Sequence, residues 1–204
     1  MTVGVLALQG AFREHVQAFG RLGAHVIEVR LPGQLAGLQG LVIPGGESTT
    51  MAKLMRAYGL DRAIQQYYEQ GGAIWGTCAG AITIASEIAG FPEQPRLGLL
   101  DMVVERNAYG RQVASFETEL HVEGLMEPFH AVFIRAPRIV SVGPDTKPLA
   151  CFEGQPVMVE GARLLATVFH PELSGDDRIH QYFLERTIAS PPVPALEANA
   201  GRPQ

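Results

Sequence analysis

Cysteine is scarce in this chain: two in 204 residues, Cys78 and Cys151, with no C-x-x-C spacing. That argues against a disulfide framework and the familiar zinc patterns, and makes a reducing, cytoplasmic setting the default. Clusters of basic residues are missing too. With a formal net charge of −5 and only 18% charged residues, no stretch offers the electrostatic footprint of a nucleic-acid surface. Long apolar runs are also absent. The opening Thr2-Val3-Gly4-Val5-Leu6-Ala7-Leu8 has no charged lead and breaks at Gly10, which is too short for a signal segment or a membrane span. It reads as a first strand. There is no internal repeat. What is left is a globular composition, 47% apolar, in a length that suits one domain with a full core.

The first half alternates short apolar runs with helical stretches. Strands are expected at Val3–Leu8, His25–Val29, Leu41–Ile43 and Ala73–Trp75, with helices over Phe12–Leu22, Ser48–Tyr58, Asp61–Gln70 and Ala79–Ile88. Such alternation predicts parallel strands joined by crossover helices. From Gly98 onward strands follow one another, at Leu99–Val104, Ala131–Ile134, Ile139–Val142, Leu149–Phe152, Val157–Val159 and Leu164–Phe169. Turn residues between them predict hairpins flanking the main sheet. Cys151 falls in one of these strands and reads as core. A last helix is expected over Asp176–Ile188, leaving residues 190–204 as a Pro/Ala-rich tail, disordered or loosely attached.

Three islands carry chemistry. In Gly76-Thr77-Cys78-Ala79-Gly80 a cysteine sits between two glycines, after an apolar run and before a helical one. Strand, tight turn, helix is a setting that holds a nucleophile proud of a sheet. A thiol reacts as thiolate and titrates near ~8.5 when free, so the site must lower that value. The expected helix at Ala79 aims N–H groups at the sulfur, and the Ala79 N–H is placed to donate to an oxyanion. The second island is His170-Pro171-Glu172, after the apolar Leu164–Phe169. In an extended segment positions i and i+2 share a side, which would lay the Glu172 carboxylate against the His170 imidazole, as in a triad.

The third island, Pro44-Gly45-Gly46-Glu47-Ser48-Thr49-Thr50, follows Leu41-Val42-Ile43. Two glycines can expose consecutive N–H groups, but the Gly-Lys-Ser/Thr of a phosphate-binding Walker loop is absent. By itself the segment reads as a turn with Ser48 or Thr49 capping the next helix. Beside a cysteine nucleophile, an oxyanion donor from Gly46 is the better reading.

Together with Leu8-Gln9-Gly10, Arg106-Asn107-Ala108-Tyr109-Gly110-Arg111-Gln112 and Phe133-Ile134-Arg135-Ala136-Pro137, these segments resemble, in order and without departure, the glutaminase-subunit family of pyridoxal 5′-phosphate synthases. That family is a branch of the class I (triad) glutamine amidotransferases. The resemblance runs from about Val3 to the last helix, so residues 1–189 are expected to form one glutaminase domain. It implies a three-layer α/β/α fold, flavodoxin-like, around a mostly parallel mixed sheet.

The resemblance also implies hydrolysis of L-glutamine to glutamate and ammonia through a cysteine thioester. Ammonia would pass to a (β/α)₈-barrel synthase subunit that builds the vitamin B6 ring from two sugar phosphates, with neither metal nor organic cofactor in the glutaminase. Carried over by position, Cys78 is the nucleophile, His170 the acid/base and Glu172 its orienter. Gly46 and Ala79 supply oxyanion N–H groups, and Gly46, Glu47, Ser48, Arg106, Ile134 and Arg135 match glutamine-binding positions. The substrate's ammonium and carboxylate call for an acidic and a basic contact, which Glu47 and either Arg106 or Arg135 can provide.

In this family the isolated glutaminase is largely idle until the synthase docks, and a turn of the Gly45–Gly46 peptide offers a physical reason. Gln9-Gly10 and the first helix are expected interface elements, against a buried glutamine satisfied by backbone. Three other readings stay open: a cysteine hydrolase of the same architecture, an amidotransferase serving another synthase, and a binding module that has lost turnover.

Overall fold

The computed structural model describes residues 1–106 and 115–188. Most of the Arg106–Gln112 motif and the whole tail lie outside the described residues. The elements run β1 (Thr2–Leu6), α1 (Phe12–Arg21), β2 (His25–Val29), β3 (Gly40–Ile43), α2 (Ser48–Ala57), α3 (Leu60–Glu69), β4 (Ala73–Thr77) and α4 (Ala79–Ile84). Then come β5 (Ala85–Ile88), β6 (Leu100–Glu105), β7 (Ser115–Leu120), β8 (Phe129–Ile134) and β9 (Arg138–Val142). The chain continues with β10 (Lys147–Phe152), β11 (Gln155–Gly161), β12 (Leu164–Thr167) and α5 (Arg178–Ile188).

Seven strands form the main sheet, in the order β10-β11-β12-β4-β3-β1-β2. The five from β12 to β2 are parallel, and the two at the other edge are antiparallel. This is the expected mostly parallel mixed sheet. Its middle strands are buried along their whole length, β3, β4 and β12 among them, as a sheet covered on both faces requires.

Alternation along β4 assigns the two covering layers. Trp75 faces α1 and α5, where its ring meets His15 and His180. Gly76 faces the other way, toward the Gly80 carbonyl of α4, and α4 packs in turn with α2 and α2 with α3. Among the described residues no helix is long and apolar enough to cross a membrane.

The structure corrects several expectations. The hairpins of the second half do not simply flank the main sheet, since β10 and β11 extend it. The flanking pieces are a three-stranded sheet, β5-β6-β9, and the two-stranded β7–β8. The helix expected to reach Ile88 stops at Ile84. Its last carbonyls, Thr83 and Ile84, accept from the N–H groups of Leu97 and Leu99, and the chain continues as β5 beside β6. Strand β7, with Ser115-Phe116-Glu117-Thr118-Glu119, escaped the sequence reading because its charged positions lowered its apolar content. Cys151 is exposed, not core. It lies on the edge strand, where the ladder slips its register between Ala150 and Cys151 and so breaks the alternation that would have buried it.

Candidate active site

The loops after β1, β3, β4, β8 and β12 converge at one end of the molecule, at the carboxyl ends of the parallel strands, where open α/β sheets hold their ligands. Cys78 directly follows β4 and has φ 48° and ψ −104°. A side chain other than glycine rarely adopts such a backbone, and strain of this kind persists only where the surroundings enforce it. Here the Cys78 N–H is fixed to the Thr167 carbonyl of β12 at 2.8 Å. Helix α4 packs so closely on β3 that a Cβ at Gly80 would lie 1.9 Å from the Ile43 carbonyl oxygen. The result is a sharp elbow with the thiol at its tip, 7% exposed and 3.9 Å from the Ile134 carbonyl.

His170 reaches the same place from β12. Its N–H is held by the Val132 carbonyl of β8 at 2.8 Å, and its Nδ1 is 2.7 Å from Glu172 Oε1. The extended-strand argument for this pair is corrected by the structure. β12 ends at Thr167, and Glu172 sits inside a 3-10 turn, Pro171–Leu173. The turn, begun by a proline that favours such geometry, swings the carboxylate back onto the ring. Gly45 allows His170 to close down on the loop after β3, since a Cβ there would be 2.5 Å from the imidazole Cε1.

Burial opposes charge on His170, but its hydrogen-bonding partners Cys78 and Glu172 and their negative charge outweigh that and push it up to about 10. Burial likewise opposes the Glu172 carboxylate. His15 and the hydrogen-bonded His170 more than offset it, so Glu172 ionises below its usual range. The arrangement favours an imidazolium at His170, held between the Cys78 sulfur and the Glu172 carboxylate.

A cavity of about 510 Å³ opens over the thiol, lined by Gly46, Glu47, Ser48, Ala79, Arg106, Ile134 and Arg135 together with Cys78 and His170. Every position singled out in the sequence except Glu172, which stands behind the imidazole, therefore borders one space. Ile82, which belongs to none of the motifs, and Gln9, expected only as an interface element, also line the cavity. The Gln9 side-chain nitrogen is buried without a hydrogen-bond partner, so the backbone-satisfied glutamine is not what the structure holds.

Glu47, rather than Ser48 or Thr49, caps α2. Its carboxylate accepts from the backbone N–H of Thr49 and Thr50 at 3.1 and 2.7 Å and from both hydroxyls. These bonds hold it down to about 2. Ser48 is buried in the first turn and accepts from the Gln94 amide at 3.1 Å. Arg106 donates to the Gln94 carbonyl oxygen, stacks over Phe91 and lies 3.8 Å from Glu47. Arg135 is exposed at the cavity edge, on a left-handed residue with φ 43° just past β8. Among the described residues, no three His, Cys, Asp or Glu side chains come together as a metal site.

Known proteins resemble this chain along most of its length. The model of the SNO glutamine amidotransferase family matches residues 5–189. The chain is 56% identical over 188 residues to the pyridoxal 5′-phosphate synthase subunit PdxT of Deinococcus radiodurans, covering 90% of this chain and 96% of that one. It is 58% identical over 184 residues to the protein of the same name from a Thermus thermophilus strain, with the same coverage. A crystal structure described as a glutamine amidotransferase superimposes with a TM-score of 0.88 at 55% identity, covering 91% of this chain and 98% of that one.

Proposed function

The chain belongs to the SNO glutamine amidotransferase family, and from that premise we propose that it is the glutaminase subunit of a pyridoxal 5′-phosphate synthase. It hydrolyses L-glutamine and hands the ammonia to the synthase subunit. The observation that carries this is the row Cys78, His170, Glu172 opening onto a cavity with Glu47 and Arg135 at its border.

The Cys78 thiolate attacks the side-chain amide carbon, and the carbonyl oxygen becomes an oxyanion. Ala79, first residue of α4, has an N–H with no acceptor inside the helix, and with the Gly46 N–H it receives that charge. His170 gives a proton to the departing nitrogen, which leaves as ammonia, and a γ-glutamyl thioester remains. Water, deprotonated by His170, adds to the thioester carbon and releases glutamate and the thiolate. Glu172 holds the imidazole in the tautomer and orientation that both halves need. Arg135 takes the substrate carboxylate and Glu47 its ammonium, with Arg106, Ser48 and Ile134 completing the wall.

Docking of the synthase switches this site. The Gly45 carbonyl accepts from the Ala11 N–H at 3.1 Å, at the entrance of α1. That bond orients the Gly45–Gly46 peptide and ties its Gly46 N–H to the position of α1. A partner that moves the Gln9–Ala11 segment can turn the peptide and present the donor. The glutaminase domain is residues 1–189. The reading places the enzyme in the cytoplasm, acting on a small zwitterion without nucleic acid, in keeping with its net charge of −5.

The test is glutamate release from L-glutamine with and without the synthase subunit from the same source. A large rise on adding the partner, abolished in Cys78→Ala, is the expected result. No glutamate under either condition would overturn the assignment.

A further inference from the structure

Behind Glu172, away from the cavity, lie two histidines that no step above uses. His15 on α1 and His180 on α5 are both 0% exposed. They are packed among Trp75, Phe19 and Phe183, with His180 5.0 Å from the Trp75 ring and His15 5.4 Å. A buried polar side chain in an aromatic core is costly unless it is paired. His15 Nδ1 is 2.9 Å from His180 Nε2. His15 Nε2 points the other way, 3.3 Å from the Thr77 hydroxyl and 3.4 Å from Glu172 Oε2. That carboxylate oxygen, the one not engaged by His170, accepts no hydrogen bond.

Proton placement along this row can be worked out. Burial works against the charged form of both rings, offset in part at His15 by Glu172 and unopposed at His180, so each carries one N–H. Suppose His15 Nδ1–H donated to His180 Nε2. The lone pair of His15 Nε2 would then face a carboxylate oxygen, and His180 Nδ1–H would be a buried donor, although Nδ1 has no partner. Both faults vanish in the opposite order. His180 Nε2–H donates to His15 Nδ1, His15 Nε2–H is directed at Glu172 Oε2 and Thr77 Oγ1, and only a lone pair on His180 Nδ1 is left over. The chosen order aims an N–H at the free oxygen of the triad carboxylate. At 3.4 Å this contact is longer than a charge-assisted bond, and such contacts commonly tighten as charge builds up during turnover.

We propose that His15 is a positioning residue for catalysis, its Nε2–H fixing and stabilising the Glu172 carboxylate, with His180 setting the His15 tautomer from the last helix. The active row is thus five side chains long, Cys78, His170, Glu172, His15 and His180. The last two tie α1 and α5 to the thiol. The charged and titratable groups around it are few. His170 faces Glu172 from the cavity side, with Cys78 beyond it, and Glu14 and Arg21 on α1 act on the two histidines from a distance. The proposal rests on the triad reading of Cys78, His170 and Glu172.

The experiment follows the pH dependence of Cys78 alkylation by iodoacetamide in the full chain, resolved by peptide mass so that exposed Cys151 is counted separately. It is paired with glutaminase kcat and KM in the complex with the synthase subunit. Without its donor, Glu172 takes up a proton at higher pH. His15→Leu should therefore move the acid limb of Cys78 reactivity upward by roughly one pH unit. It should lower kcat on the order of tenfold, part of what acid–base catalysis supplies, with KM little changed. His15→Gln, which restores an amide donor, should return the limb close to the parent position, and His180→Phe should shift it partway.

Glu172→Ala is the reference. If it moves the limb and a folded His15→Leu does not, the proposal is overturned and the triad stands. If Glu172→Ala leaves the limb in place, both are overturned. Should His15→Leu not fold, His15→Asn, whose shorter amide stops short of Oε2, and His180→Phe decide the matter. A limb unmoved in both overturns the proposal.

Discussion

The two sides of the Cys78–His170–Glu172 row are built on different principles. On the cavity side the groups come from loops: Gln9 after β1, Glu47 after β3 and Arg135, at positive φ, after β8. On the far side they come from helices and the strand between them, His15, His180 and Trp75, closed from solvent. Loops can be aimed at a ligand and can move when a partner docks. Helices packed in an aromatic core cannot, and they hold an electrostatic arrangement without reorganisation during turnover. Substitutions in front should therefore act mainly on KM, and substitutions behind mainly on kcat.

The sharpest test of that division is Glu172→Ala, expected to lower kcat by about 10²–10⁴ with KM nearly unchanged, read from initial rates in the synthase complex. An equal change in both constants would dissolve the distinction. Arg135→Ala should do the reverse, raising KM roughly tenfold to a hundredfold through loss of a charge-assisted contact to the substrate carboxylate, with kcat changed far less. Arg135→Lys should recover part of that loss.

A third measurement is the NMR titration of His170. Its folded-state value lies well above the ordinary 6.5, at about 10. The stability this pairing contributes is complete below the unfolded value and is lost as pH rises toward about 10. Cys78→Ala should lower the His170 midpoint, since the thiol side chain is one of the partners that raise it.

The smallest effect belongs to Glu47. Its hydrogen bonds from Thr49 and Thr50 hold it near 2, so their stabilising contribution is present above the ordinary carboxylate value of 4.5 and fades as pH falls toward about 2. The double substitution Thr49→Val, Thr50→Val should return Glu47 toward its ordinary value while leaving turnover at neutral pH almost unchanged. A carboxyl titration measured by NMR would show it.

The same two-sided division explains what could be read in the sequence. Gly45, Cys78 with Gly80, and His170 stand out because close approach and a sharp turn demand particular residues at fixed spacing, whereas Ile82, also in the cavity wall, belongs to no motif. The parallel core was legible too, since β3, β4 and β12 are unbroken apolar runs. His15 and His180 lie on helices whose polar residues mostly face water, and nothing local separates a buried histidine from an exposed one there. The approach of His15 to Glu172 is a contact between α1 and a turn far along the chain. For the same reason local propensity predicts helix over β5. The end of α4 is imposed by the Leu97–Leu99 segment, and propensity gives way to tertiary pairing.

Strand order has a consequence for how the enzyme is made. β12 lies between β4 and β11, so the sheet stays open beside Cys78 until the chain beyond Thr167 has been synthesised. His170, Glu172 and His180 arrive with or after that strand. A nascent chain ending anywhere before it carries the cysteine but neither His170 nor Glu172 to activate its sulfur. Insertion of a late, central strand is a slow, long-range step. It makes assembly of the Cys78–His170–Glu172 row wait for this late strand and the turn that follows it.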